Sequence, residues 1–181
     1  TLSLHGALPI WHVDCGLESR RLGSPAVPKR RPARAEELRI RRARDADLAR
    51  LVEIENAVFE TDRMSARQWR HHLANPRADV LVAQRAGVLV GAAVVFSHAS
   101  HGIARLYSIA VAPQARGSGV GQALLAAAER ASRARGRARF RLEVRTDNAA
   151  ARRLYERRGY RAFGTKARFY EDGGDAVRYE K

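Results

Sequence analysis

The sequence predicts an α/β domain, and two observations lead to this fold class. Strand-like apolar runs and amphipathic helical stretches alternate along the chain, in the order strand, two helices, three strands, helix, strand, helix, two strands. In the middle, a strand passes through a glycine-rich turn directly into a helix. The length of 181 residues is enough for one such domain with a buried core.

The elements before the glycine-rich turn follow from local signals. Asp45 is predicted to cap the first helix and Ser65 the second, which the pair Asn75-Pro76 ends. A hairpin is expected around Arg85-Ala86-Gly87. The expected strands are Leu38 to Ala43, Val80 to Ala83, Val88 to Phe96 and Leu106 to Val111.

The elements after the turn show clear periodicity. Phe140, Leu142 and Val144 alternate with charged residues, as on a strand with one buried face. We expect helices at Gly119 to Arg135 and Asn148 to Arg158, and strands at Arg139 to Arg145, Tyr160 to Phe163 and Ala176 to Tyr179.

The glycine-rich turn has the composition of a phosphate-binding loop. Glycines allow backbone N–H groups to converge without obstruction by Cβ, and the helix start adds unpaired N–H groups and a positive dipole end. No Lys-Ser or Lys-Thr pair follows, so it is not a Walker loop, and a simple tight turn remains the alternative. The predicted binding residues are Arg116, Gly117, Ser118, Gly119, Val120 and Gly121.

Two motifs resemble one known family. Arg116-x-x-Gly119-x-Gly121, after a strand and a proline, resembles the acetyl-CoA pyrophosphate loop of the GCN5-related N-acetyltransferase (GNAT) family. Leu142-Glu143-Val144-Arg145-x-x-Asn148-Ala149-Ala150-Ala151-x-x-Leu154-Tyr155-Glu156-x-x-Gly159-Tyr160 is similar to the second half of its core, in the RimI-type ribosomal-protein alanine N-acetyltransferases. The resemblance covers about Leu38 to Lys181.

This resemblance implies a fold and an activity. The fold would be the GNAT fold, a mostly antiparallel central sheet with a splayed pair of parallel strands and flanking helices. The activity would be transfer of acetyl from acetyl-CoA, as cosubstrate, to a primary amine by direct attack in a ternary complex. The backbone of Ile109, Ala110 and Val111 would hold the pantetheine arm, and Asn148 would bond it from the other side. Capping of the following helix is the alternative role for Asn148.

The resemblance also implies the catalytic pair. Glu143 matches the RimI-type general base and Tyr155 the general acid, seven residues after Asn148 and thus two helical turns along. The alternative for Glu143 is a salt bridge with Arg141 or Arg145. The alternative for Tyr155 is packing on the sheet, with its hydroxyl bonded to backbone.

The acceptor site implied by the family lies between segments 59–64 and 167–175, and Phe59 and Tyr170 are its expected binding residues. The second segment departs from the N-terminal protein acetyltransferase pattern, because Phe169 replaces a tyrosine and Gly174 an acidic residue. A protein N-terminal amine is the first interpretation. A small-molecule amine is the runner-up, and a non-catalytic RNA- or ribosome-binding module is the alternative of another class.

The charge is strongly positive. The formal net charge is +15, and from Arg105 to Lys166 plus Arg168 there are 16 basic and 4 acidic residues, an excess of 12. A ribosomal or other acidic partner would be attracted to such a surface. Arginine makes up 31 of the 34 basic residues, so compositional bias is an equally open explanation.

The remaining expectations concern the tail, metals and compartment. Residues 1–37 contain several prolines and basic pairs, so we expect a disordered tail; the first ten residues also resemble a translated sequencing adapter. Cys15 is the only cysteine and the histidines lack metal-like spacing, so no metal is expected. The sequence contains no apolar run long enough to predict a membrane span, and the expected compartment is the cytoplasm.

Overall fold

A computed structural model describes residues 37–98 and 102–181, so the predicted tail lies almost entirely outside the described residues. The described chain forms one seven-stranded sheet, in the order β1-β2-β3-β4-β5-β7-β6, with four α-helices. The elements are β1 Arg39–Arg42, α1 Leu48–Val58, α2 Ala66–Ala74, β2 Ala78–Arg85, β3 Val88–His98, β4 Ile103–Val111, α3 Val120–Ala134, β5 Arg139–Arg145, α4 Ala149–Arg157, β6 Arg161–Lys166 and β7 Ala176–Glu180. The predicted fold class is confirmed.

Neighbouring strands are antiparallel except for the central pair, β4 and β5. These two strands run parallel and pair from Ile103 opposite Arg139 to Arg105 opposite Arg141. Beyond Arg105, β4 continues to Val111 in register with β3, whereas β5 continues in register with β7. The two strands therefore separate toward their carboxyl ends, which opens the predicted splay in the sheet.

Two apolar clusters cover the two faces of the sheet. On one face, the stripe of α3 around Leu124 and Leu125 packs on strands that include β5. On the other, Leu51 and Ile54 of α1 and Trp69 of α2 pack on β2, β3 and β4. Because alternate residues of a strand point to opposite faces, the charged residues of β5 lie on the α1 and α2 side.

The start of α3 lies unusually close to the sheet. A Cβ at Gly91 would stand 2.8 Å from the backbone oxygen of Ala110 and 3.1 Å from Val120 Cγ1, so no larger residue fits without movement. This close approach seats the amino end of α3, and the glycine-rich turn before it, against β3 and β4.

The predicted cap of α1 is wrong and that of α2 is confirmed. Asp45–Asp47 forms a separate 3-10 turn, in which Asp47 accepts a 2.7 Å hydrogen bond from the Arg44 N–H and pairs with Arg41. Ser65 accepts from the Gln68 N–H at 3.3 Å, as a helix cap does. In the part of the chain that the structure describes, no helix is long and apolar enough to cross a bilayer.

Candidate active site

The glycine-rich turn forms an open cradle. After β4, a 3-10 turn at Pro113–Ala115 leads to Gly117 and Gly119, with φ angles of 71° and 81°. Only glycine adopts such angles without strain, and a Cβ at either position would meet nothing within 4 Å. Since the N–H groups of the first turn of α3 have no partner inside the helix, the cradle suits an anion.

A second arginine, which the sequence analysis missed, belongs to this cradle. Arg85, at the end of β2, donates from Nη1 to Ser118 Oγ at 3.1 Å and from Nη2 to the Ser118 carbonyl at 3.4 Å. Ser118 Oγ itself donates to the Ala115 carbonyl at 2.7 Å. The local pattern indicates only a hairpin turn at Arg85, and nothing in it predicts a contact 33 positions away. Arg85 therefore adds a positive charge at Ser118, in the same turn that contains Arg116.

The edge of β4 that faces the splay is the predicted site for an extended arm. Ile109, Ala110 and Val111 pair on one side with Ala93, Ala92 and Gly91 of β3. On the other side they border the region where β5 has separated. Backbone groups that point into this gap are therefore available to an extended ligand, as at a strand edge.

Asn148 fills the capping role considered for it, and binding of an extended arm stays a prediction. It caps α4, because its Oδ1 accepts a 3.0 Å hydrogen bond from the Ala151 N–H. Its Nδ2 is buried and has no hydrogen-bond partner among the described residues. A buried unsatisfied donor costs free energy, and a carbonyl of a bound ligand would supply the missing acceptor.

Glu143 lies on the α1 and α2 side of β5, between two arginines. Arg105 of β4 donates from Nε to Glu143 Oε2 at 2.9 Å, and Arg178 of β7 stands 3.9 Å from Oε1. The side chain is 8% exposed. Charge on both sides holds the carboxylate in one place at the start of the splay.

The predicted alternative partners of Glu143 are wrong. Arg141 instead pairs with Glu180, at 2.5 Å. Arg145 pairs with Asp172 at 2.9 Å and with Asp147 at 3.4 Å. Residues two apart on one strand point to the same face of the sheet. For Glu143, however, the adjacent strands β4 and β7 supply closer partners.

Tyr155 is buried under the sheet, with 1% of its surface exposed. Its ring packs against Tyr160 and Tyr179, with centroid distances of 5.6 and 6.1 Å. Burial, with a further contribution from nearby Tyr170, raises the pKa of the Tyr155 hydroxyl well above its ordinary value. The hydroxyl therefore keeps its proton at neutral pH, which a general acid requires.

Tyr170 offers an unpaired hydroxyl at the predicted acceptor site. The residue is 3% exposed, its buried hydroxyl has no hydrogen-bond partner within the described chain, and burial raises its pKa above the ordinary value. The guanidinium of Arg145 lies 4.8 Å over its ring. A Cβ at Gly174 would come within 2.6 Å of Arg145 Nη2, so the acidic residue missing there would displace this arginine.

The two acceptor loops are joined directly. The Glu171 N–H donates to Asp62 Oδ1 at 3.1 Å, and the Asp62 N–H donates to Glu171 Oε2 at 3.3 Å. Burial raises the pKa of Asp62 above its ordinary value. These reciprocal bonds join segments 109 positions apart and close one side of the predicted acceptor site.

Phe59 lies in the core rather than in an opening. It is 2% exposed within the cluster that contains Leu51 and Trp69, and its carbonyl accepts a 2.5 Å hydrogen bond from Arg63 Nε. From the core, Phe59 supports segment 59–64. Contact of Phe59 with an acceptor stays a prediction.

Glu55 is a buried carboxyl that the sequence analysis missed. It is fully buried, Oε1 accepts from the Met64 N–H at 2.9 Å, and Oε2 has no hydrogen-bond partner in residues 37–98 or 102–181. Burial raises its pKa to about 8. It lies four residues after Leu51 and three before Val58, a spacing that places it on the apolar face of α1 and that the sequence alone indicates.

Comparison with known proteins identifies relatives for most of the chain. The model of the acetyltransferase (GNAT) family matches residues 46–160. The N-alpha-acetyltransferase RimI of Mycobacterium tuberculosis is 35% identical over 143 residues, which cover 72% of this chain and 84% of that protein. Two crystal structures of ribosomal-protein alanine N-acetyltransferases are similar. The Escherichia coli structure has a TM-score of 0.72 and 27% identity, covering 80% of this chain and 92% of the other. The Brucella melitensis structure has a TM-score of 0.68 and 29% identity, covering 78% and 98%.

Proposed function

Because this chain belongs to the GNAT family of acetyltransferases, which use acetyl-CoA, we propose that it acetylates the N-terminal α-amino group of a protein. One observation carries the proposal. The carboxyl end of β5 is bordered by two buried polar groups, Asn148 Nδ2 and the Tyr170 hydroxyl, and neither has a hydrogen-bond partner in the described chain. Asn148 follows the strand, and Tyr170 packs on Arg145, its last residue. Bound substrates would satisfy both groups.

Acetyl-CoA would lie along the splay, with its pyrophosphate in the cradle. The glycine turn and the amino end of α3 would bind the phosphates, with Arg116 and Arg85 as nearby cations. The arm would pair with the free edge of β4 and accept a hydrogen bond from Asn148. A backbone N–H near Val111 would stabilise the oxyanion that forms on the thioester carbonyl.

The reaction needs two proton transfers. An α-amino group has a pKa of about 8, so it enters mainly as an ammonium ion and must lose a proton before attack. Glu143 would accept this proton, directly or through water. The amine nitrogen then bonds to the acetyl carbon, the carbon–sulfur bond breaks, and Tyr155 protonates the leaving thiolate.

We expect the acceptor to be a protein N-terminus. The hydrogen bonds between Asp62 and Glu171 join the two segments that would border the acceptor. An N-terminus would then reach Glu143 from the exposed surface of β5 and β7. The names of the relatives support the same acceptor class, because two are ribosomal-protein alanine N-acetyltransferases and one is an N-alpha-acetyltransferase.

The test is coenzyme A release from acetyl-CoA with a panel of N-terminal peptides, the same peptides blocked at the N-terminus but carrying lysine, and small amines. We expect turnover only with free N-termini. Equal turnover of blocked lysine peptides would contradict the α-amine assignment, and turnover of small amines alone would favour the small-molecule alternative. Turnover of none, with binding of RNA that coenzyme A does not affect, would favour the non-catalytic alternative.

Asn148 provides a matched pair of variants for cofactor binding. Asn148→Asp keeps an oxygen that can cap α4 but removes the Nδ2 donor, whereas Asn148→Ala removes both. We expect both variants to bind coenzyme A about tenfold more weakly, as for one lost hydrogen bond, measured by calorimetry. Only Asn148→Ala should also lose about 1 kcal/mol of unfolding free energy. Undiminished affinity in Asn148→Asp would restrict Asn148 to capping.

A further inference from the structure

An arginine-rich face borders the candidate catalytic carboxylate. On the α1 and α2 side of the sheet, the neighbouring strands β4, β5, β7 and β6 carry arginines around one exposed phenylalanine. The positions of these arginines follow from strand register and ion pairing. We call this surface the arginine face; it consists of Arg105, Arg139, Arg141, Arg161, Arg178 and Phe163.

The arginine face carries more positive charge than its ion pairs within the described chain neutralise. Glu143 is shared by Arg105 and Arg178, and Glu180 by Arg141 and Arg139. Two carboxylates therefore face five guanidiniums. Arg105, Arg141 and Arg178 approach these carboxylates through Nε, and each guanidinium has further N–H donors that can bind a ligand carboxylate in a fork.

Phe163 adds an exposed apolar ring to the arginine face. The guanidiniums of Arg141 and Arg178 both lie over the ring, at 4.8 and 4.6 Å from its centroid. The residue is nevertheless 42% exposed, on an edge strand whose residues are all exposed. The stacking fixes two arginine side chains beside open apolar surface, which lowers the entropy lost when they bind a ligand.

This face continues directly from the candidate acceptor site. Arg105 and Arg178, which form ion pairs with Glu143, also belong to the arginine face. The next step rests on the proposed function. If the N-terminal amine of an acceptor lies beside Glu143, the residues that follow it in the acceptor extend over the arginine face. We infer that the preferred acceptors are polypeptides with acidic residues directly after the N-terminal residue, whose carboxylates pair with these arginines.

A peptide fits this surface better than a nucleic acid. Two carboxylates lie among the arginines and would repel a regular row of phosphates, whereas a peptide can place its acidic side chains between them. Single-strand binding surfaces combine a continuous cationic groove with several stacking aromatics, and the arginine face has one aromatic ring.

The experiment compares peptides that share a first residue and carry acidic, neutral or basic residues after it. We expect kcat/KM to fall in the order acidic, neutral, basic. Arg141→Gln and Arg161→Gln should each lower the acidic-to-neutral ratio about two- to fivefold, as for loss of a surface ion pair. Arg161 is exposed at the edge strand, so its variant tests the face if Arg141→Gln folds poorly. The control is Arg130→Gln, at an exposed position of α3, which should keep the wild-type ratio.

A binding measurement separates this inference from the proposed function. Fluorescence anisotropy with a labelled acidic peptide, at several salt concentrations, needs no turnover. Salt-sensitive binding that weakens in Arg141→Gln and Arg161→Gln supports the arginine face even if no peptide is acetylated. Turnover without any preference for acidic peptides overturns the inference and leaves the proposed function intact. Single-stranded RNA that displaces the acidic peptide, and binds more tightly through the same arginines, also overturns it.

Discussion

Replacing Glu143 by glutamine should lower kcat by about 100- to 10,000-fold, the usual contribution of a positioned general base. The variant keeps the shape of the side chain but loses the negative charge and with it the ability to accept the proton. Because the amine loses its proton unaided as the pH approaches its pKa of about 8, the rate of the variant should rise with pH more steeply than that of the wild type. Coenzyme A release at saturating peptide, from about pH 6 to 10, measures both effects.

Two controls distinguish a base from a structural residue. Glu143→Gln also leaves Arg105 and Arg178 without their carboxylate, so its unfolding free energy and coenzyme A affinity should be measured alongside. Glu180→Gln removes the neighbouring carboxylate of the arginine face and should reduce kcat far less. A loss of kcat in Glu143→Gln that stays constant across the pH range would assign Glu143 an electrostatic role in place of proton transfer.

Replacing Glu55 by glutamine should remove a pH-dependent loss of stability. The pKa of Glu55 is raised from 4.5 to about 8 in the folded chain, because burial disfavours its charge. Between these values the folded state holds a proton that the unfolded state has released. The stabilising contribution of Glu55 is therefore complete below pH 4.5 and is lost as the pH rises through 8.

The Glu55→Gln variant has no charge to bury, so its advantage over the wild type should grow with pH. Between about pH 5 and 9 the difference in unfolding free energy should shift toward the variant by a few kcal/mol, on the order expected for a shift of several pKa units. Chemical denaturation at each pH measures it. Glu53→Gln, on the same helix with its side chain 62% exposed, is the matched control. Parallel stability curves for Glu55→Gln and wild type would contradict the raised pKa.

Strand periodicity is enough to assign the candidate base to one face of the sheet. Phe140, Leu142 and Val144 alternate with charged residues, so Glu143 had to lie on the face opposite these three apolar side chains, as observed. The glycine turn and the cap at Ser65 were equally predictable from the sequence, because they depend on residues close together in the chain.

The ion-pair partners of Glu143 could not be predicted from local sequence in the same way. The predicted ion pairs of Glu143 used neighbours on its own strand, but β4 and β7 supply Arg105 and Arg178. Which strands flank β5 depends on the strand order, and β7 lies between β5 and β6 although β6 comes first in the chain.

Local sequence specifies the order of helices and strands, the glycine cradle and the face of each strand, because backbone geometry repeats over two to four residues. Long-range packing specifies the Asp62–Glu171 bridge, the contact of Arg85 with the cradle, the unpaired groups of Asn148 and Tyr170, and the arginine face. Those features join segments distant in sequence, and local periodicity contains no information about which distant segments meet.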